Sequence, residues 1–101
     1  VKFLAIDLGS SFVKGAVLDL DELAIRHVER SPFPEPVAGL PPGFREFDPA
    51  AIVSTTQSLI ARLSRHAPQA AGIVMCSQLH GMVLTDARAR PNSSMANWPP
   101  W

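Results

Sequence analysis

A carboxylate, a glycine, two hydroxyls and a lysine cluster near the start of the chain, as Asp7-Leu8-Gly9-Ser10-Ser11 followed by Lys14 and Gly15. Together these groups suit a phosphate. Gly9 lets backbone amides approach an anion closely. Consecutive amides in a turn form an anion-binding nest, to which Ser10 and Ser11 add hydroxyl donors. Lys14 reaches a phosphate as a point charge. Asp7 repels an anion, so its chemistry fits a hydrated Mg²⁺, which favours carboxylate plus phosphate and water. The plainer alternative is a hairpin with a polar turn, because short Gly/Ser turns are common. The pattern is not a Walker A loop, which ends in Gly-Lys-Ser/Thr. Nor is it a Rossmann loop, because a strand rather than a helix follows.

A second constellation spans residues 72–86, Gly-Ile-Val-Met-Cys-Ser-Gln-Leu-His-Gly-Met-Val-Leu-Thr-Asp. It reads as an apolar strand running into a polar turn. Gln78 carries donors and an acceptor, and neutral His80 one of each, a mixture that suits sugar hydroxyls. Gly81 permits a tight turn beside them. For His80 alone, a structural hydrogen bond at a strand end is the competing explanation.

The elements that must position these residues follow from pattern. Val1–Leu8 and Val13–Leu20 read as strands of a hairpin across residues 9–12, and Leu23–Ser31 as a third antiparallel strand. Residues 31–49 hold six of the ten prolines. Proline fixes φ and removes a donor, so this stretch is expected to be an ordered loop without ladders or a helix interior. Asp48-Pro49 marks a helix start, an N-cap followed by proline at the first position. Ile52, Val53, Thr56, Leu59, Ile60 and Leu63 then recur at helical spacing to about Arg65, and Pro68 ends the run. Ala71–Ser77 is uniformly apolar, as in a parallel strand covered on both faces, with Cys76 as a small core residue. Met82–Thr85 is expected to be a short strand, 86–90 a turn, and Ser94–Trp98 its returning partner. The class is α/β with a mixed sheet.

Composition narrows the function. Nine basic and nine acidic residues give zero net charge, and no basic stripe stands out, which argues against nucleic acid as a partner. No apolar run approaches the ~20 residues that cross a bilayer, which argues against a membrane. Lys2 and Asp7 interrupt the apolar start, and no signal-peptide cleavage pattern follows. The single cysteine excludes an internal disulfide and fits the cytoplasm. His27 and His66 have no ligand-spaced companions, and Arg62 and Arg65 are assigned to the solvated face of the helix. Asp19, Asp21, Asp48 and Asp86 read as turn or cap residues.

The segment from Ala5 to Val17 resembles the first phosphate motif of the actin, hexokinase and Hsp70 ATPase superfamily, in the form found in FGGY carbohydrate kinases. Residues 72–86 resemble the Gly-Gln-Met-His-Gly region of xylulokinases, with Ser77 in place of the glycine and Leu79 in place of the methionine. The resemblance implies an RNase H-like (actin-like ATPase) mixed sheet. It makes residues 1–101 the N-terminal portion of the first kinase domain, with the phosphate hairpin at 5–17, the sugar-side motif at 72–86, and the rest of that domain and the second domain absent. It also implies ATP and Mg²⁺ as cofactors. Asp7 would organise the metal, Gly9, Ser10 and Ser11 would contact phosphates, and Lys14 would neutralise the transferred group. Gln78, Leu79, His80 and Gly81 would face a pentulose or similar sugar, with Trp101 on the pocket wall. Gluconate, ribulose and rhamnulose kinases are alternatives of the same class, and a non-catalytic nucleotide-binding module is the rival of another class. In the family the general base is an aspartate in a segment beyond Trp101, so the isolated chain is expected to lack turnover. Apolar surface left exposed on so short a chain is expected to favour self-association.

Overall fold

The structure, a computed structural model, describes residues 1–97. Strands β1 (Lys2–Leu8), β2 (Phe12–Asp19) and β3 (Ala24–Pro32) form an antiparallel meander. The strand β4 (Glu46–Phe47) and the helix α1 (Pro49–Ser64) come next, then β5 (Ile73–Cys76), β6 (Gly81–Met82) and β7 (Met95–Asn97). The chain leaves β3, crosses through α1 and returns as β5 parallel to β1, giving a mixed sheet of order β3-β2-β1-β5. A second, three-stranded sheet runs β4-β7-β6.

The core lies between α1 and one face of the meander. Side chains alternate along a strand, so Leu4 and Ile6 of β1 and Val13 and Val17 of β2 share the face that meets Leu59 and Leu63. Gly15 sits on that face because nothing larger fits. A Cβ there would lie 2.6 Å from Leu63 Cδ1 and 3.1 Å from the Ala5 carbonyl oxygen. Phe33 and Phe47 close the end of the core, edge to face with centroids 5.0 Å apart. The helix begins as the sequence indicates, with the Asp48 carboxylate accepting from the Ala50 amide at 2.9 Å and Pro49 at its start. Of the predicted apolar stripe, Thr56, Leu59 and Leu63 are buried, while Ile52 and Ile60 are partly covered. Val53 is 51% exposed and lies outside the stripe.

Four expectations need correction. The proline-rich segment contributes a short ladder after all, because Glu46-Phe47 contains no proline and pairs with β7. The strand expected at Met82–Thr85 is confined to Gly81–Met82, followed by an isolated bridge between Thr85 and Pro91. Every residue of β5 is exposed, Cys76 included, because α1 lies over β1, β2 and β3 and no described element covers β5 on either face. Arg62 is not simply solvated. It donates to Glu29 Oε2 at 2.7 Å and to Ser31 Oγ at 2.8 Å, tying the helix to β3.

A bulge in β3 sets two histidines together. Gly15 pairs with Glu29 and Val17 with Arg26, so Ala16 faces both His27 and Val28. His27 adopts φ +52° there, and its ring stacks on His66 at 3.9 Å and 8°. Such a two-against-one irregularity re-aims a side chain.

Asp19 fixes the β2–β3 turn. Its buried carboxylate accepts from the Asp21 and Glu22 amides, each at 3.2 Å, with Lys2 Nζ 3.8 Å away. The Glu22 amide is the largest influence holding its pKa below the ordinary carboxylate value; burial opposes this, and the Asp21 amide and Lys2 reinforce it. A depressed folded-state pKa stabilises the fold above the unfolded value, about pH 4, and that contribution disappears as pH falls through the folded value. Asp19→Asn is therefore expected to lower the urea midpoint at neutral pH, and the gap from wild type should close as the titration is repeated from about pH 5 down to about pH 2.

Candidate functional site

The paired strands bring a single row of side chains across the sheet, one from each strand. Asp7 is the register partner of Lys14 on β2 and of Cys76 on β5, and Lys14 is the partner of Arg30 on β3. Register partners in a sheet project to the same face. Ile6 and Val13 flank this row in sequence and point into the core, so Cys76, Asp7, Lys14 and Arg30 occupy the opposite face, away from α1. Thiol, carboxylate, ammonium and guanidinium thus stand in spatial order. The Cys76 thiol donates to Asp7 Oδ1 at 3.3 Å. That bond is the main cause of a raised Cys76 pKa, with desolvation and the Asp7 charge adding to it.

The turn that joins β1 to β2 lies at one end of this row. The Gly9 amide donates to the Phe12 carbonyl at 3.0 Å, and the Phe33 amide donates to the Ser11 carbonyl at 2.9 Å. Gly9 is required by space: a Cβ would lie 2.8 Å from the Phe12 carbonyl oxygen. Ser10 and Ser11 are both exposed on the turn. The Gly-Ser-Ser segment is therefore braced at both ends while its hydroxyls face outward.

The second constellation also meets the first at the turn. Gln78 donates from Nε2 to the Gly9 carbonyl at 2.9 Å, across a separation of 69 residues in sequence. It also lines a cavity of ≈130 Å³ with Leu8, Phe33, Ile52, Gly81 and Met95. Leu79 is fully exposed, at 100%, and His80 is exposed beside it. Among the described residues, nothing covers Leu79 and His80. Gly81 has a packing role where a conformational one was expected: it lies in β6, and a Cβ would come within 3.3 Å of Met95 Sδ. Trp98 and Trp101 lie outside the described residues.

The other carboxylates are engaged as the sequence indicates. Asp48 caps α1. Asp86 accepts from the Arg88 amide at 2.8 Å, the Arg90 amide at 3.0 Å and Arg90 Nε at 2.8 Å; the Arg90 amide is the largest cause of its lowered pKa. Among the described residues, no group of three or more His, Cys, Asp or Glu side chains could hold a metal by itself. For Mg²⁺ this is no obstacle, since the ion keeps several waters and takes one or two carboxylates with its phosphates, and the exposed edge of Asp7 fits that role.

Sequence reasoning missed two members of the row. Arg30 lies sixteen places from Lys14 in sequence and belongs to neither motif, and only the β2–β3 register reveals it as the neighbour of Lys14. Cys76 was assigned to a core that the described residues do not build around β5.

A mixed α/β sheet of this order, with a Gly-Ser-Ser turn between its first two strands, is the fold of the N-terminal part of sugar kinases with an actin-like ATPase architecture. Among solved structures, the chain is similar to a xylulose kinase from Brucella ovis, at 27% identity and a TM-score of 0.80 over 95% of this chain and 20% of that one. It is similar to a gluconate kinase from Lactobacillus acidophilus, at 20% identity and a TM-score of 0.79 over 94% and 19%. A xylulose kinase from Rhodospirillum rubrum matches at 21% identity and a TM-score of 0.78 over 96% and 20%. The chain thus spans about a fifth of the length of the solved kinases it matches. No protein-family profile and no curated protein matches it. No helix among the described residues is long and apolar enough to cross a membrane.

The Cys76–Asp7 bond gives a direct check on the row. A raised pKa leaves less thiolate, the reactive form, at neutral pH. Cys76 is therefore expected to react slowly with iodoacetamide at about pH 7.5 despite its exposure, and Asp7→Asn is expected to speed alkylation roughly three- to tenfold. Equal rates in the two proteins would show that Asp7 does not act on the thiol.

Proposed function

We propose that the chain is the nucleotide-phosphate and sugar-facing segment of an ATP-dependent sugar kinase, nearest to the xylulose kinases, acting in the cytoplasm where ATP is supplied. The observation that carries this reading is the shared face of Asp7 and Lys14 at the mouth of the Gly9–Ser11 turn, joined to the second motif by the Gln78–Gly9 bond. Phosphoryl transfer needs little covalent chemistry from the protein; it needs positioned reactants and neutralised charge. In this reading Asp7 holds the hydrated Mg²⁺, the turn's amides and the Ser10 and Ser11 hydroxyls take phosphate oxygens, and Lys14 offsets their charge. Leu79 and His80 face the sugar, with Gln78 fixing that segment to the phosphate turn and Gly81 allowing the backbone to pass Met95.

A general base must come within hydrogen-bond reach of the sugar hydroxyl. Asp19, Asp48 and Asp86 are held in turn and cap bonds, and Asp7 is assigned to the metal. The base is therefore proposed to lie outside this chain, in another segment of such a kinase. Gluconate, ribulose or rhamnulose kinase activity are readings of the same class, and the gluconate kinase neighbour favours the first of them.

Calorimetric titration of the chain with Mg·ATP tests the phosphate half. Lys14→Ala is expected to weaken binding about tenfold or more, and Asp7→Asn to remove its Mg²⁺ dependence. Unchanged affinity in both variants would defeat the assignment. The chain incubated with ATP and a panel of pentuloses is expected to form no sugar phosphate. Thermal shifts on adding xylulose or gluconate would separate a sugar kinase from a non-catalytic nucleotide-binding module, which has no use for residues 78–81.

A further inference from the structure

We propose that Arg30 is a second phosphate-binding cation, which takes a polyphosphate anion jointly with Lys14; this rests on the nucleotide reading of the same face. Arg30 and Lys14 are direct register partners on adjacent antiparallel strands. That places their Cβ atoms about 5 Å apart on one face, an arrangement in which like charges destabilise a sheet. The nearest carboxylate in the row, Asp7, stands beside Lys14 but two strands away from Arg30. Among the described residues neither side chain forms an ion pair. Glu29, the neighbour of Arg30 in sequence, is turned to the opposite face, where Arg62 engages it. Glu22 is taken by Arg26. Asp7, on the other side of Lys14, is bonded to the Cys76 thiol.

The position of the guanidinium adds direction to this charge. Arg30 Cζ lies 4.6 Å from the centroid of the Phe12 ring, and Phe12 is the first residue of β2 after the Gly9–Ser11 turn. The side chain therefore leans along the sheet toward the turn, held over a ring face that favours cations. Two adjacent cations that form no ion pair among the described residues, one of them aimed at an amide- and hydroxyl-rich turn, form an electrostatic site for an anion of more than one charge. A planar guanidinium can hold one phosphate by two parallel bonds, while the Lys14 ammonium serves as a point charge. Across the row, the carboxylate that suits Mg²⁺ lies on β1 and the guanidinium lies two strands away on β3. With Mg²⁺ held at Asp7, a polyphosphate would be oriented with its metal-carrying side toward β1 and its remaining oxygens toward Arg30.

The test is calorimetric titration with Mg·ATP, inorganic tripolyphosphate and AMP. The proteins compared are wild type, Arg30→Gln, Arg30→Lys, Lys14→Gln and Arg65→Gln. The last removes an equal charge from the end of α1, on the far side of the sheet. Arg30→Gln is expected to weaken Mg·ATP and tripolyphosphate about five- to tenfold relative to Arg65→Gln, and to change AMP far less, since a charge-assisted bond at an exposed site is worth roughly that factor. Arg30→Lys, which keeps the charge and the strand but loses the fork, is expected to fall between wild type and Arg30→Gln. If Lys14→Gln loses affinity while Arg30→Gln and Arg30→Lys match Arg65→Gln, the role of Arg30 is overturned and the nucleotide reading stands. If wild type binds neither Mg·ATP nor tripolyphosphate, both are overturned.

Discussion

The register of β1 against its two neighbours is the constraint on which the rest of the structure depends. Asp7 faces Lys14 on one side and Cys76 on the other, and side chains alternate with a period of two. A slip of one residue would send Asp7 and Lys14 into the core and bring Ile6 and Val13 out to solvent. The hydrophobic contacts of Leu4, Ile6, Val13 and Val17 with Leu59 and Leu63 forbid that slip. The apolar face of the hairpin thus fixes the polar face. Gly15 is part of the same constraint, since it admits Leu63 to the surface of β2 between Val13 and Val17.

The two polar constellations are far apart in sequence and meet because of the crossover. A parallel partner for β1 requires a long connection, which α1 provides. Its return places β5 beside β1 with Cys76 against Asp7, and the chain then turns so that Gln78 reaches the Gly9 carbonyl. The two polar segments are thereby held at the same end of one sheet. In open sheets that contain parallel strands, ligands gather at the carboxyl ends of the strands. Here both β1 and β5 deliver their polar residues at their carboxyl ends.

Among the described residues, β5 is exposed along its length and Leu79 is fully exposed. The radius of gyration, 15.4 Å, exceeds the roughly 13 Å of a compact chain of this length, in keeping with a sheet covered by a helix on one side only. The likeness to kinases about five times longer agrees with that picture.

Local pattern determined much by itself. The hairpin around Gly9, the Asp48-Pro49 helix start, the buried positions Leu59 and Leu63, and the grouping of Asp7, Gly9, Ser10, Ser11 and Lys14 all follow from periodicity, turn chemistry and capping, which act over a few residues. Tertiary structure alone decided the rest, because it depended on partners distant in the chain. Glu46-Phe47 became a strand only because β7 lies beside it. Cys76 left the expected core because α1 covers other strands, and Arg62 found Glu29 and Ser31 because the helix crosses β3. Arg30 joined the row through a pairing that the bulge at His27–Val28 resets: without that extra residue the two ends of β3 could not both keep their faces, and no spacing in the sequence announces a bulge.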